Sequence, residues 1–286
     1  MKNKDLLNNY SNILLKNGFE SPYLDVELLF SFVSGLSRVD LISKSEEEVD
    51  KKNLKKFEKL FSRRLKHEPV AYILGHKNFC GLDFKVNKNV LIPRFITEEI
   101  VDMVVDSIRI DGNIKNIIEI GTGSGCVIIS IIKKILNSFV DFKFNFFASD
   151  ISFRALKVAR ENSKYFCVEN KIKFYRGNLK FPANKKFDFI IANLPYVDFD
   201  SVDFNKDNQK DLQFEPKVAL FEKDNGFYLI KKLLKKIINK KLLNNEGCIF
   251  LEVEKGQSDR IKEEFGDYFN IEEFFDDRIV KLKAKS

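Results

Sequence analysis

Three short stretches of this chain carry residue types that can do chemistry. Asn193-Leu194-Pro195-Tyr196 ends the apolar run FDFIIA in a polar amide, a proline and an aromatic ring. Such an ending packs poorly and is suited to holding something. The Asn193 side chain offers a carbonyl acceptor. Pro195 has no backbone N–H, which leaves the Leu194 carbonyl free to point outward. Two acceptors beside a ring suit a planar NH₂ group with two donors, an amide or an exocyclic amine lying against Tyr196. Gly121-Thr122-Gly123-Ser124-Gly125 follows another apolar run. Glycines there let the backbone turn tightly and approach a ligand, and the helix behind them supplies free N–H groups. Asp150 ends a third run, FNFFAS, where a carboxylate can accept hydrogen bonds from ribose hydroxyls. Each stretch also has a plain structural reading. These are a strand-to-helix turn, an N-cap for the helix at Ser152, and a rigid loop with a packed tyrosine. The G-x-G-x-G spacing lacks the third glycine of the dinucleotide fingerprint, which argues against a nicotinamide cofactor. Together and in this order, the stretches favour a ribose-containing ligand at the carboxyl ends of strands.

The elements that must position these residues alternate after Ile100. IKNIIEI, FNFFASD, KIKFY, FDFIIANL and GCIFLEV read as strands, and CVIISIIKKIL, SFRALKVARENSKYF and NGFYLIKKLLKKIINKKLL as helices. The strands are continuously apolar rather than alternating, which indicates a parallel sheet covered by helices on both faces. Before them, Leu6 to about Leu65 repeats apolar residues at three- and four-residue spacing, with breaks at Gly18, Ser21-Pro22 and Gly35 to Ser37, as for several short helices. The charge run Lys51 to Lys59 is interleaved with Leu54, Phe57 and Leu60, the pattern of a helix with one wet face. Between Glu68 and Pro93, Gly75, Gly81 and the stretch LDFKV suggest a β-hairpin.

Composition narrows the class without fixing it. The 286 residues are 44% hydrophobic and 32% charged, enough for a sizeable core and a solvated surface. The net charge of +7 is compatible with an acidic or nucleic-acid partner and equally with an ordinary wet surface. The four cysteines have no paired spacing, so neither a zinc site nor a disulfide framework is indicated. The opening MKNKDLLNNYSN has no apolar leader core, and no run reaches the roughly 18 apolar residues of a membrane span. The expectation is a cytoplasmic protein with no membrane partner.

Nearly the whole chain resembles the peptide chain release factor N5-glutamine methyltransferases, the PrmC or HemK family. SPYLDVELLFSFVSGLSR is similar to that family's N-terminal helices, and RRLKHEPVAYILGHKNFCGLDFKV with VLIPR to its linker. EIGTGSGCVIIS, SDISFRALKVARENS, NLPY, FEPKVAL and FDDRIV follow in the family's order. The resemblance implies an α/β fold: a Rossmann-like class I methyltransferase domain over 96–286, a small helical substrate-recognition domain over 1–72, and a linking β-hairpin over 73–95. It implies S-adenosylmethionine as cofactor, no metal, and methylation of the glutamine amide in the Gly-Gly-Gln motif of class 1 release factors. The release factor would be the partner, with no direct nucleic-acid binding and a monomeric enzyme. Gly121, Thr122, Gly123, Ser124 and Gly125 would wrap the cofactor's methionine end, Asp150 would take the ribose, and Leu179, with Asn178 beside it, would flank the adenine. Asn193 would touch cofactor and substrate, while Leu194, Pro195 and Tyr196 complete the amide cradle.

The chain departs from the family in four places. Leu194 stands for a proline, Phe95-Ile96 for Pro-Glu ahead of Thr97-Glu98, and Glu254 for a glycine. The segment between Gly125 and Asp150 is longer than usual. His67 and His76 read as structural, so no histidine base is expected. Two rival readings stay open. Adenine methyltransferases use the same turn on an exocyclic amine, but they carry their extra domain after the catalytic one. A non-catalytic homologue would retain the fold, though it would have little reason to keep all three motifs.

Overall fold

Apolar residues at helical spacing build the first five helices: α1 (Asn3–Lys16), α2 (Pro22–Ser34), α3 (Arg38–Ser43), α4 (Lys51–Arg64) and α5 (Val70–Leu74). They belong to a computed structural model that describes residues 1–108, 115–138, 143–198, 201–203 and 206–285. The chain divides into two compact units, Met1–His76 with Val202–Glu215, and Lys77–Ser201 with Pro216–Ser286. In the first unit, Leu6, Leu14, Phe30, Phe57 and Phe61 form a small core. On α4, Phe57 is buried, Leu54 and Leu60 pack against that core, and the lysines are exposed, as the charge pattern predicts.

At the junction of the two units along the chain come paired strands β1 (His76–Phe79) and β2 (Leu82–Lys85), joined by Cys80 and Gly81, both left-handed. After α6 (Ile96–Asp106) comes the predicted alternation: β3 (Lys115–Ile120), α7 (Cys126–Ser138), β4 (Phe144–Asp150), α8 (Phe153–Tyr165), β5 (Ile172–Arg176) and β6 (Phe187–Asn193). The first residue expected in β3, Ile114, and residues 139–142 of the long Gly125–Asp150 segment lie outside the described residues. A short parallel pair, β7 (Val197–Asp198) and β8 (Phe221–Glu222), flanks α9 (Lys217–Leu220). Then follow α10 (Tyr228–Asn239), β9 (Leu243–Glu252), α11 (Gln257–Phe265), β10 (Phe269–Phe274) and β11 (Ile279–Ala284). Among the described residues, no helix is long and apolar enough to cross a membrane.

The main sheet has the order β10-β11-β9-β6-β3-β4-β5. Its central strands are mostly apolar because both faces are covered there, whereas the edge strands β5 and β10 carry exposed charged residues. Ile117, Phe146, Phe189, Ile191 and Phe250 pack with α6 and α7, while Ile118, Ile120, Phe147, Ile190 and Leu251 pack with α10 and α11. The sheet is not wholly parallel. β11 runs antiparallel to β9 and β10, because three left-handed residues in a row, Phe275, Asp276 and Asp277, reverse the chain between β10 and β11. The alternating run IVKLKA does not reveal its direction. β3 sits where the strand order reverses, since the chain leaves it toward β4 on one side and returns as β6 on the other. Connections diverge at such a point and leave a crevice at the carboxyl ends.

Candidate functional site

The three motifs meet because their strands are neighbours. Ile120 of β3 lies opposite Ser149 of β4 and Ala192 of β6, so Asp150 and Asn193 each stand one residue beyond a pairing with the glycine strand. Between these ends is a cavity of about 520 Å³, whose wall includes Gly121, Thr122, Gly123, Ser124, Asp150, Leu179, Asn193, Leu194 and Pro195. Gly125 and Tyr196 stand outside that wall. A β-carbon at Gly125 would come within 3.1 Å of Ile129 Cδ1 and 3.2 Å of Ala159 Cβ, so this glycine lets α7 and α8 pack closely. At Gly123, by contrast, a β-carbon would meet nothing within 4 Å.

Asp150 ties the turn to the next helix. Its Oδ2 accepts from the Gly123 N–H at 2.9 Å and its Oδ1 from the Ser152 N–H at 2.8 Å. The cap of α8 is Ser152, whose hydroxyl accepts from the Ala155 N–H, so Asp150 is not that cap. Burial raises the Asp150 carboxyl above its ordinary range, while these backbone bonds pull it down. Deeper in the same wall lies Glu119, a residue to which the motif reading gives no role. Its Oε2 accepts from Thr122 Oγ1 at 2.5 Å and from the Ile128 N–H at 3.3 Å. Burial pushes Glu119 up to about 8; the Thr122 and Ile128 bonds oppose this and the Asp150 charge adds to it. The available signal was an acid inside IIEI, at the end of a strand buried on both faces. No lysine or arginine contributes to either shift. Two buried carboxyls that no lysine or arginine shifts, beside a glycine that leaves open space, suit a ligand with a positive charge and hydroxyl groups. Leu179, in a left-handed conformation with φ 46, lines the cavity with Asn178, and its carbonyl accepts from Lys236 Nζ at 2.7 Å.

The Asn193 turn is held from behind by groups far away in sequence. Asn193 Nδ2 donates to Thr97 Oγ1 at 3.2 Å, and the Thr97 hydroxyl donates to Glu252 Oε2 at 2.5 Å. The other Glu252 oxygen accepts from the Tyr196 hydroxyl at 2.8 Å, which itself accepts from Arg278 at 3.1 Å. Glu252 lies opposite Asn193 in the β6–β9 register. Burial raises the Glu252 carboxyl, against the hydroxyls of Thr97 and Tyr196 and the charges of Arg278 and Arg94. Burial foremost, then Glu252, raises the Tyr196 hydroxyl. Gly226 backs this tyrosine so closely that a β-carbon would stand 1.7 Å from the Tyr196 carbonyl oxygen. Gln257 Nε2 completes the clamp by donating to the Asn225 carbonyl at 2.9 Å and the Tyr196 carbonyl at 3.4 Å.

The departures find plain places. Leu194 is buried, with Cδ2 3.1 Å from where a Gly121 β-carbon would sit. Phe95 is 77% exposed, and it is Thr97, not Glu98, that reaches the Asn193 turn. Glu254 lies 3.5 Å from Arg278. Neither histidine lines the cavity; His67 stacks on Phe19 and meets Asp211.

A family profile described as the PrmC N-terminal domain matches residues 5–75, and one described as an RMKL-like methyltransferase domain matches residues 113–209. A "Bifunctional methyltransferase" of Rickettsia prowazekii is 34% identical over 96% of this chain and 55% of its own length. The chain therefore spans about half the length of the bifunctional relatives it matches. A "Release factor glutamine methyltransferase" of Clostridium acetobutylicum is 31% identical over 91% of this chain and 89% of its own. Among solved structures, the hMettl16 catalytic domain superimposes with a TM-score of 0.57 at 17% identity, over 79% of this chain and 82% of that one, a likeness of fold.

Proposed function

Because the chain belongs to the release factor glutamine methyltransferase family, we propose that it transfers a methyl group to the side-chain nitrogen of a glutamine, that of the Gly-Gly-Gln motif in class 1 release factors. The observation that carries this reading is the shared cavity. The Asn193-Leu194-Pro195 turn forms one wall of the space that the glycine turn and Asp150 also line. S-adenosylmethionine suits that space, whose wall carries the Glu119 and Asp150 carboxyls and is open beside Gly123, and when bound it supplies an electrophilic methyl group on a sulfonium. Gly121, Thr122, Gly123 and Ser124 would hold its methionine end, with Glu119 facing the ammonium group. Asp150 would hold the ribose, and Leu179 with Asn178 the adenine.

The chain's own contribution follows from amide chemistry. An amide nitrogen is a weak nucleophile because its lone pair is delocalised into the carbonyl. Asn193 Oδ1 and the Leu194 carbonyl accept its two N–H bonds, which fixes the amide plane and stabilises positive charge as it develops on nitrogen. Pro195 stiffens the turn, and Tyr196, clamped by Glu252, Arg278, Gly226 and Gln257, holds it from behind. Fixed geometry supplies the remainder as proximity. The helical domain, 1–72, adds remote binding energy by gripping the release factor, a cytoplasmic partner bound without direct nucleic-acid contact by a monomeric enzyme.

The test is methyl transfer from labelled S-adenosylmethionine to a class 1 release factor, beside a copy whose Gly-Gly-Gln glutamine is replaced by alanine. Label on the first and none on the second is the expected result. Label on both, or on RNA alone, would overturn the reading.

A further inference from the structure

The geometry points to Thr97 and Glu252 as positioning residues that dictate which end of the Asn193 side chain meets the substrate. This deepens the reading above and rests on it for the identity of the substrate. An asparagine amide has nearly the same shape with its oxygen and nitrogen exchanged, yet the exchange swaps an acceptor for a donor. Only the orientation with Oδ1 toward an incoming NH₂ group is useful; the other sets donor against donor. Asn193 therefore needs a group that tells its two ends apart.

Thr97 alone cannot do this, because a hydroxyl both donates and accepts. Glu252 settles the matter. Glu252 accepts at both oxygens, from Thr97 Oγ1 at 2.5 Å and from the Tyr196 hydroxyl at 2.8 Å, the arrangement of an ionised carboxylate, which the Arg278 and Arg94 charges favour; Oε2 therefore takes the single Thr97 hydroxyl proton. Thr97 then presents only lone pairs to Asn193, and its neighbour at 3.2 Å has to be the Nδ2 end. Oδ1 is left for the cavity that Asn193 lines. The second carboxylate oxygen takes the Tyr196 proton in the same way, which turns the tyrosine oxygen into an acceptor for Arg278. One buried charge thus fixes the proton direction along two chains, one on each side of Leu194-Pro195. Glu252 is 1% exposed, and its two oxygens are taken up by the Thr97 and Tyr196 hydroxyls on either side of the turn. The register that sets Glu252 opposite Asn193 gives the carboxylate its place beside the turn.

The experiment compares the parent with Thr97→Val, Thr97→Ser and Glu252→Gln, normalised to folded protein. Thr97→Val keeps the shape and removes the hydroxyl; kcat should fall about tenfold to a hundredfold, with KM and the cofactor dissociation constant within about twofold. Thr97→Ser should recover kcat to within about threefold of the parent. Glu252→Gln can donate to Thr97 and reverse the chain, so its kcat should fall by a similar factor. Independently of turnover, hydrogen exchange at Asn193 Nδ2, followed by side-chain amide NMR, should be slowed in the parent and in Thr97→Ser and fast in Thr97→Val. Parental kcat in Thr97→Val, failure of Thr97→Ser to rescue, or an unprotected Asn193 amide in the parent would each overturn the inference. A parent that methylates no release factor would sink the substrate reading instead, and the exchange measurement would still decide this one.

Discussion

A buried cation surrounded by acids sits in the helical unit, while in the cavity wall two buried acids, Glu119 and Asp150, are shifted by no lysine or arginine. Arg64, at the end of α4, donates to Asp25 Oδ2 at 2.7 Å, to Asp211 Oδ2 at 2.8 Å and to the Glu68 carbonyl at 3.2 Å, over the ring of Phe19. Burial raises the Asp25 carboxyl and Arg64 pulls it back. Glu119 and Asp150 have only hydroxyl and backbone N–H groups to oppose their burial. A charge cluster satisfied within itself holds a structure together. Buried acids that no basic side chain shifts hold something that arrives from outside, at a cost in stability until it does.

Four measurements break or sharpen this contrast. The largest effect is expected at Glu119. Its folded value of about 8 exceeds its ordinary 4.5, so its contribution to stability is full below pH 4.5 and is lost as pH rises to 8, on the order of 5 kcal/mol. Thermal melts across that range should show Glu119→Gln gaining steadily on the parent as pH rises; parallel pH profiles would remove the contrast. Next is Arg64→Ala, which strands buried Asp25 and should cost about 3–5 kcal/mol in denaturant unfolding. Turnover per folded molecule should not change, and a loss of turnover at parental stability would mean that the Arg64 cluster serves the reaction. Asn193→Ala is the reverse case. Turnover should drop by about two orders of magnitude, and cofactor affinity much less; an active variant would remove the amide cradle. The smallest effect is expected for Asp150→Asn, which keeps shape and loses charge. Calorimetry should show cofactor binding weakened by about tenfold, the loss of a charge-assisted bond, and unchanged affinity would move the ribose contact elsewhere.

The fold was largely legible because β3, β4 and β6 are buried on both faces and so carry apolar residues at successive positions. The glycine turn, Asp150 and the Asn193 turn were legible because each is local, a few residues whose types change together at a strand end. The residues that hold them were not. Thr97 and Glu252 are 155 positions apart, and Asn193 is 96 from Thr97. Gly226 reads as one more turn glycine until the Tyr196 carbonyl is found against it. After GCIFLEV no strand is read from the sequence, so β10 and the antiparallel β11 emerge only from the structure.

By itself, then, the sequence determined the alternating strands and helices from β3 to β9 and which chemistry stands at the ends of β3, β4 and β6, since these depend on neighbours along the chain. Helices α6 and α11 and strands β10 and β11 came only with the structure. The tertiary structure alone decided which ends meet. Sheet order and register set β6 between β3 and β9, and only that placement brings a carboxylate from one strand, a hydroxyl from a helix and an amide from a third element into hydrogen-bonding distance. Proton direction along those bonds is a property of the assembled group, because a hydroxyl has no fixed role until an acceptor-only partner claims its proton.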